Sequence, residues 1–166
     1  WAEESSSGID QSLWGIQAYL HHDFQNKQYL MGGASYYDYG NMDGKPTLYS
    51  QDPADEAFGN SFRISGGDTY YVSDYNLIEA FVEYGFQLGD IPIAVFGDWV
   101  NNVAASTSQD TGWLVGCKVN KAKNPGDWEF GYNYRDLEAD AVVGIFSNSD
   151  FIGGGTEGKG HVFSDD

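Results

Sequence analysis

An all-β, antiparallel fold is predicted by three features of the sequence: a composition rich in glycine and aromatic residues, long stretches in which apolar and polar residues alternate, and short turn signals between those stretches. Aromatic residues make up 16% of the 166-residue chain and glycine contributes 22 positions. That mixture suits twisted strands joined by turns, and fits neither a helical bundle nor a disordered tail. The length allows a single domain over residues 1–166.

The first patterned stretch, Ser12 to Phe24, sets Trp14, Ile16, Ala18 and Leu20 on one face and Gly15, Gln17, Tyr19 and His21 on the other. The second, Gln28 to Tyr39, sets Tyr29, Met31, Tyr37 and Tyr39 opposite Gly32, Ala34 and Asp38, and the Asn26-Lys27 step between the two suits a tight turn. The clearest alternation follows, with Ile78, Ala80, Val82, Tyr84, Phe86 and Leu88 against Glu79, Phe81, Glu83, Gly85 and Gln87. After Gly89-Asp90, Ile91, Ile93, Val95 and Trp99 alternate with Ala94, Phe96 and Asp98, which completes a hairpin. A third hairpin joins Trp113, Val115, Cys117 and Val119, through Lys123-Asn124-Pro125-Gly126, to Trp128, Phe130, Tyr132 and Tyr134. Beyond Arg135 the parity slips to Leu137, Ala139, Ala141 and Val143, so a bulge, a new strand or a short helix begins there.

Two stretches break the pattern. Residues 40–74 dissolve into Gly, Asp, Asn, Ser and Pro and read as one long loop, in which Asp52-Pro53 starts a short helical turn through Phe58. A loop of roughly thirty residues is unusual in a compact soluble domain and ordinary on the outer face of a membrane barrel. Residues 147–160 read as a Gly-rich loop, followed by the start of a strand at His161-Val162-Phe163. The ending Ser164-Asp165-Asp166 lacks the final aromatic strand of a complete barrel, so the chain is expected to be a partial barrel of about six to eight strands.

Alternation is shared by soluble sandwiches and membrane barrels. Two features favour the barrel. The patterned segments run to about 10 to 14 residues, near the ~9–11 that cross a bilayer at a tilt. On the faces read as apolar there is no Asp, Glu, Lys or Arg. Ile78, Val82, Phe86, Ile93, Val95, Trp113, Val115 and Phe130 are therefore read as lipid-facing, and Glu79, Glu83, Asp98, Lys118, Glu129 and Arg135 as lining a wet lumen. Tyr36, Tyr37, Tyr39, Tyr70, Tyr71, Trp99, Trp113 and Trp128 are candidates for interfacial aromatic girdles. The competing reading, a secreted β-sandwich that binds carbohydrate through exposed aromatics or assembles through its strand edges, stays open at this level.

Charge narrows the partners. Eight Lys plus Arg against 25 Asp plus Glu give a formal net charge of −17, which repels phosphate backbones and excludes nucleic acid. Cations are the natural counterpart, although an acidic surface also keeps an exported protein soluble. Cys117 has no second cysteine to bond and sits in an apolar pattern, so it reads as packing. No stretch reaches the ~18 apolar residues of a membrane helix and no basic-then-apolar leader opens the chain, but alternating strands never look hydrophobic in a sliding window.

Other chemistry finds little support. Gly153 to Lys159 spells the skeleton of a phosphate loop, yet Gly160 stands where a hydroxyl must hold magnesium, Glu157 would repel phosphate, and no helix pattern follows. Ser147, Asn148, Asp150 and Glu157 offer oxygen donors for adventitious calcium, without the regular spacing of a calcium loop, and no metal is assigned. His21, His22, His161 and Cys117 lack zinc spacing. Carboxylate pairs such as Glu79 with Glu83 arise by chance among so many acids, so neither enzyme nor cofactor is expected.

The stretch Gly126 to Gly144, followed by Phe146 to Phe151 and Gly153 to His161, resembles the C-terminal half of the putative porin family of Gram-negative outer membranes. The blocks Gly33 to Tyr39 and Phe96 to Asn102 are similar to that family too. The resemblance implies a larger barrel in the outer membrane, trimeric, in contact with membrane lipids and passing small solutes or ions.

Overall fold

The computed structural model describes residues 11–49, 57–122, 126–147, 151 and 153–165. Asp52-Pro53 and Lys123 to Pro125, two of the turn signals named above, lie outside the described residues. Nine strands are described: β1 (Leu13–Asp23), β2 (Tyr29–Tyr39), β3 (Phe62–Ser65), β4 (Asp68–Tyr71), β5 (Tyr75–Leu88), β6 (Ile91–Asn102), β7 (Thr111–Asn120), β8 (Glu129–Leu137) and β9 (Gly158–Asp165). Seven of them form one sheet in the order β1-β2-β5-β6-β7-β8-β9, and β3 and β4 form a separate hairpin. Every pairing is antiparallel. The sheet does not close on itself, so the all-β reading holds and the architecture is that of a partial barrel.

Two of the expected turns, at Asn26-Lys27 and Gly89-Asp90, are where the sequence placed them. Gln25–Lys27 forms a 3-10 turn with Asn26 at φ 62° and Lys27 at φ 60°, closed by the Phe24 amide donating to the Gln28 carbonyl at 2.8 Å. Gly89, at φ 63°, supplies the left-handed residue between the paired ends Leu88 and Ile91. These connections define a short-turn end of the sheet. The connections from β2 to β5, from β6 to β7 and from β8 to β9 gather at the other end.

The buried core also sits at the long-loop end and not between two layers. Tyr39, Met42, Leu48, Tyr71, Tyr75, Leu77 and Val143 cluster there. Met42 and Leu48 are fully buried, each worth about 1.5–3 kcal/mol of transfer free energy. The stretch read as loop over 40–74 carries the β3–β4 hairpin, turned by Gly66 and Gly67 at φ 66° and 100°. The parity slip after Arg135 resolves as follows: β8 continues to Leu137, then the chain leaves the sheet, buries Ala139, Ala141 and Val143 in the loop core, and makes a 3-10 turn at Gly144–Phe146. β9 begins at Gly158, inside the stretch read as a Gly-rich loop over 147–160.

A sandwich needs its apolar face covered by a second sheet. Among the described residues nothing covers it: Ile78, Val82, Val95, Trp113, Val115 and Phe130 are 39% to 51% exposed. Val82, Val95 and Val115 do not meet across a dry interior but lie side by side on one open surface. An uncovered apolar face of this extent is unstable in water and needs another solvent or a partner.

Candidate functional site

Strand register fixes which side chains share a face. One row across the sheet runs Tyr19, Gly33, Phe81, Asp98, Leu114, Arg135, Gly160, and the next on the same face runs Gln17, Ser35, Glu79, Val100, Gly112, Leu137, Gly158. Glu83 is paired with Phe96, Lys118 with Ala94 and Glu129 with Asn120, so all six charged residues singled out from the sequence fall on this charged face. Ile78, Val82, Phe86, Ile93, Val95, Trp113, Val115 and Phe130 all fall on the opposite, apolar face.

The register reverses the reading of β2. Tyr29, Met31, Tyr37 and Tyr39 lie on the charged face, paired with Gly85, Glu83, Leu77 and Tyr75, while Leu30, Gly32, Ala34, Tyr36 and Asp38 lie on the apolar face. The reason is chemical, since tyrosine carries a hydroxyl that carboxylates can use. Tyr29 Oη donates to Glu83 Oε1 at 2.6 Å and Tyr37 Oη reaches Glu79 Oε2 at 3.5 Å. The apolar face is therefore free of charge in its middle and not throughout: Asp38, Asp136 and Lys159 occupy it next to the long-loop ends of β2, β8 and β9.

The charged face is ordered by polar contacts. Gln17 Nε2 donates to Ser35 Oγ at 2.9 Å, and Ser35 Oγ donates to Glu79 Oε2 at 2.5 Å. Arg135 Nε donates to Asn133 Oδ1 at 2.9 Å, and its guanidinium lies 4.8 Å above the Phe151 ring. Among the described residues, none of these six charged side chains forms an ion pair with another, so their charge is not cancelled locally. Glu79, Asp98 and Arg135 share a cavity of about 430 Å³, walled by Leu77, Val100, Leu114 and Leu137 and roofed by Val142, Val143 and Phe146 of the loop after β8.

The aromatic girdle needs correction. Tyr37 and Tyr39 belong to the charged face, Tyr70 and Tyr71 belong to the loop hairpin, and Tyr71 is 1% exposed with its hydroxyl accepting from the Leu48 amide. Trp128 precedes β8 and is exposed. What the apolar face carries is a band of Trp14, Tyr36, Trp99, Trp113 and Tyr134, in which Trp14 meets Tyr36 at 5.4 Å and Trp113 meets Tyr134 at 5.5 Å. The band is oblique. Through successive partners Trp14 aligns with Asn76 of β5 and Tyr134 with Val82, a drift of six residues along that strand. Strands tilted to a membrane produce this drift, because a level line then crosses the ladder at an angle.

A polar cluster that the sequence did not reveal holds the loops to the sheet. Asp140, fully buried, accepts at Oδ1 from the Ser61 amide and Tyr75 Oη, both at 3.0 Å, and at Oδ2 from Ser73 Oγ at 3.2 Å and Thr107 Oγ1 at 2.7 Å. Asn102 Nδ2 donates to the carbonyls of Asp74 and Asp140, and its Oδ1 accepts from the amides of Asn76 and Ala104. Asn60 Nδ2 donates to the carbonyls of Ala139 and Val142, while its Oδ1 accepts from the Gly144 amide. The one signal available was an Asp between alanines in an otherwise apolar run, Ala139-Asp140-Ala141.

Of the calcium candidates, Asn148 and Asp150 lie outside the described residues, and the Ser147 hydroxyl is engaged with the backbone of Gly155. Gly158 and Lys159 open β9 and not a helix, so the phosphate-loop skeleton has no helix N-terminus to use. His21 and His22 point to opposite faces, as adjacent strand residues must.

Residues 70–165, more than half of the chain, match the family described as putative porin. The chain belongs to that family. The match covers β5 to β9 and all six charged residues of the porin's charged face, and it includes the C-terminal blocks on which the sequence resemblance rests. No curated protein and no solved structure matches this porin chain.

Proposed function

We propose that the chain is part of a porin channel in the outer membrane of a Gram-negative bacterium, through which small solutes diffuse passively and cations are favoured. The observation that carries this reading is the uncovered apolar face with its oblique aromatic band, opposite a face on which uncompensated carboxylates outnumber the bases. Lipid tails satisfy the first face and water the second, since a charge costs little in a wet lumen and about 2–4 kcal/mol for Arg or Lys in mid-bilayer. Glu79, Glu83, Asp98 and Glu129, opposed by Lys118 and Arg135, bias which ions enter. Strands beyond the outer edges of β1 and β9, from the same polypeptide or other copies, complete the wall, and three such barrels associate.

Planar-bilayer conductance tests the reading. The protein is expected to form open channels whose cation-to-anion permeability ratio falls in Glu79→Gln and Glu83→Gln. A protein that is monodisperse in plain buffer and carries no current would overturn it.

A further inference from the structure

Large side chains on the charged face lie over glycines. Tyr37 is the direct cross-strand partner of Gly15, Tyr29 of Gly85, Phe81 of Gly33 and Phe96 of Gly116. In each pair the ring fills the volume that a Cβ on the glycine would need. Such an atom would come within 2.6 Å of Tyr37 Cδ1, Phe81 Cζ or Phe96 Cζ, and at Gly85 it would collide with the Cδ1–Cε1–Cζ edge of the Tyr29 ring. None of these glycines has a positive φ, so backbone conformation does not demand glycine; space does. The apolar face follows a different rule. A Cβ at Gly32 would meet nothing closer than 3.4 Å and at Gly97 nothing closer than 3.6 Å.

Packing a ring against a cross-strand glycine stabilises the pair, and it also lays the ring down along the sheet. Tyr29 is pinned further by its hydrogen bond to Glu83 and by the His21 ring stacked on it at 5.3 Å. We propose that these ring-on-glycine pairs set the free bore of the channel and with it the largest solute that passes. The inference rests on the channel reading above and adds the residues that fix its size limit.

Gly85→Ala is the cleanest test, because the nearest obstacles to its methyl group are all atoms of the Tyr29 ring. At Gly33 and Gly116 the backbone oxygens of Ala18 and Tyr132 also stand within 2.5 Å, so substitutions there strain the strands themselves. Gly85→Ala is expected to lift Tyr29 off the wall, lower the unitary conductance and reduce the size of the largest polymer that enters the pore. Adding Tyr29→Ala should restore both, and Gly97→Ala on the other face should change neither. Gly15→Ala, which displaces Tyr37, serves as the second variant.

Native conductance and polymer exclusion in correctly folded Gly85→Ala and Gly15→Ala would overturn the proposal while leaving the porin reading intact. A wild-type protein without current would instead sink the porin reading, and the bore with it. Independently of any variant, the Hα resonances of Gly85 and Gly15 should be displaced by ring currents relative to Gly97. Undisplaced resonances would remove the pairs themselves.

Discussion

The Tyr75 hydroxyl donates to Oδ1 of Asp140 at 3.0 Å and so joins the first residue of β5 to the loop that follows β8. Around the same carboxylate the Ser61 amide, Ser73 and Thr107 bring in the β3–β4 region, the β4–β5 link and the β6–β7 loop. One buried side chain thus gathers the long connections into a shelf over the sheet end.

Asp140→Ala would leave these donors buried without an acceptor, at a cost of about 1–3 kcal/mol for each one that finds no substitute. Asp140→Asn should cost far less. Its Oδ1 can keep the Ser61 amide and Tyr75, and its Nδ2 would face Ser73 and Thr107, whose hydroxyls can turn to accept. Limited proteolysis of the folded protein should show the loops cleaved rapidly in the Ala variant and near the native rate in the Asn variant. Equal protection in both would remove Asp140 as the organising group.

Asn60→Asp probes the second tie with an isosteric change. The two carbonyls of Ala139 and Val142, both 2.7 Å from Nδ2, would then face a carboxylate oxygen in place of a donor. The variant is expected to expose the Gly144 amide, which hydrogen-exchange mass spectrometry can follow across 138–147. Protection unchanged from the native protein would contradict the geometry.

The fold was legible wherever one face of a strand was aliphatic and the other charged, as in β5 through β8, because period-two alternation survives without knowledge of the partner strand. It was misread in β2, where both faces are weakly apolar. There Tyr29 and Tyr37 belong to the charged face because Gly85 and Gly15 make room for their rings and Glu83 and Glu79 lie within reach of their hydroxyls, and every one of those reasons sits on another strand. The loop cluster was invisible for the same reason: Asp140 is one acid among 25 until the fold brings its four donors together.

The two faces make opposite demands on an inserted charge. Val115→Arg on the apolar face should destabilise folding into lipid vesicles by about 2–4 kcal/mol if it lies near mid-bilayer, whereas Met31→Arg on the charged face, paired with Glu83, should cost well under that. Urea titration of vesicle-folded protein measures both. Equal losses at the two sites would argue that neither face meets lipid.

Arg135 and Asp98 share a row with Leu114 between them, a separation of two strand spacings or about 10 Å. Among the described residues the guanidinium is held by Asn133 and Phe151 and not by a carboxylate, so in the proposed channel its charge would reach an ion passing in front of it. At about 10 Å in water a unit charge contributes roughly 0.4 kcal/mol for an ion of either sign, in opposite directions, so the preference between cation and anion shifts by roughly 0.8 kcal/mol, or about fourfold. Arg135→Gln is therefore expected to raise the cation-to-anion permeability ratio by up to about fourfold at low salt, and the gain should fade near 1 M salt, where the screening length shrinks to about 3 Å. Reversal potentials across a salt gradient read this directly. A ratio that stays fixed, or one that rises equally at high salt, would show that Arg135 does not face the permeating ions.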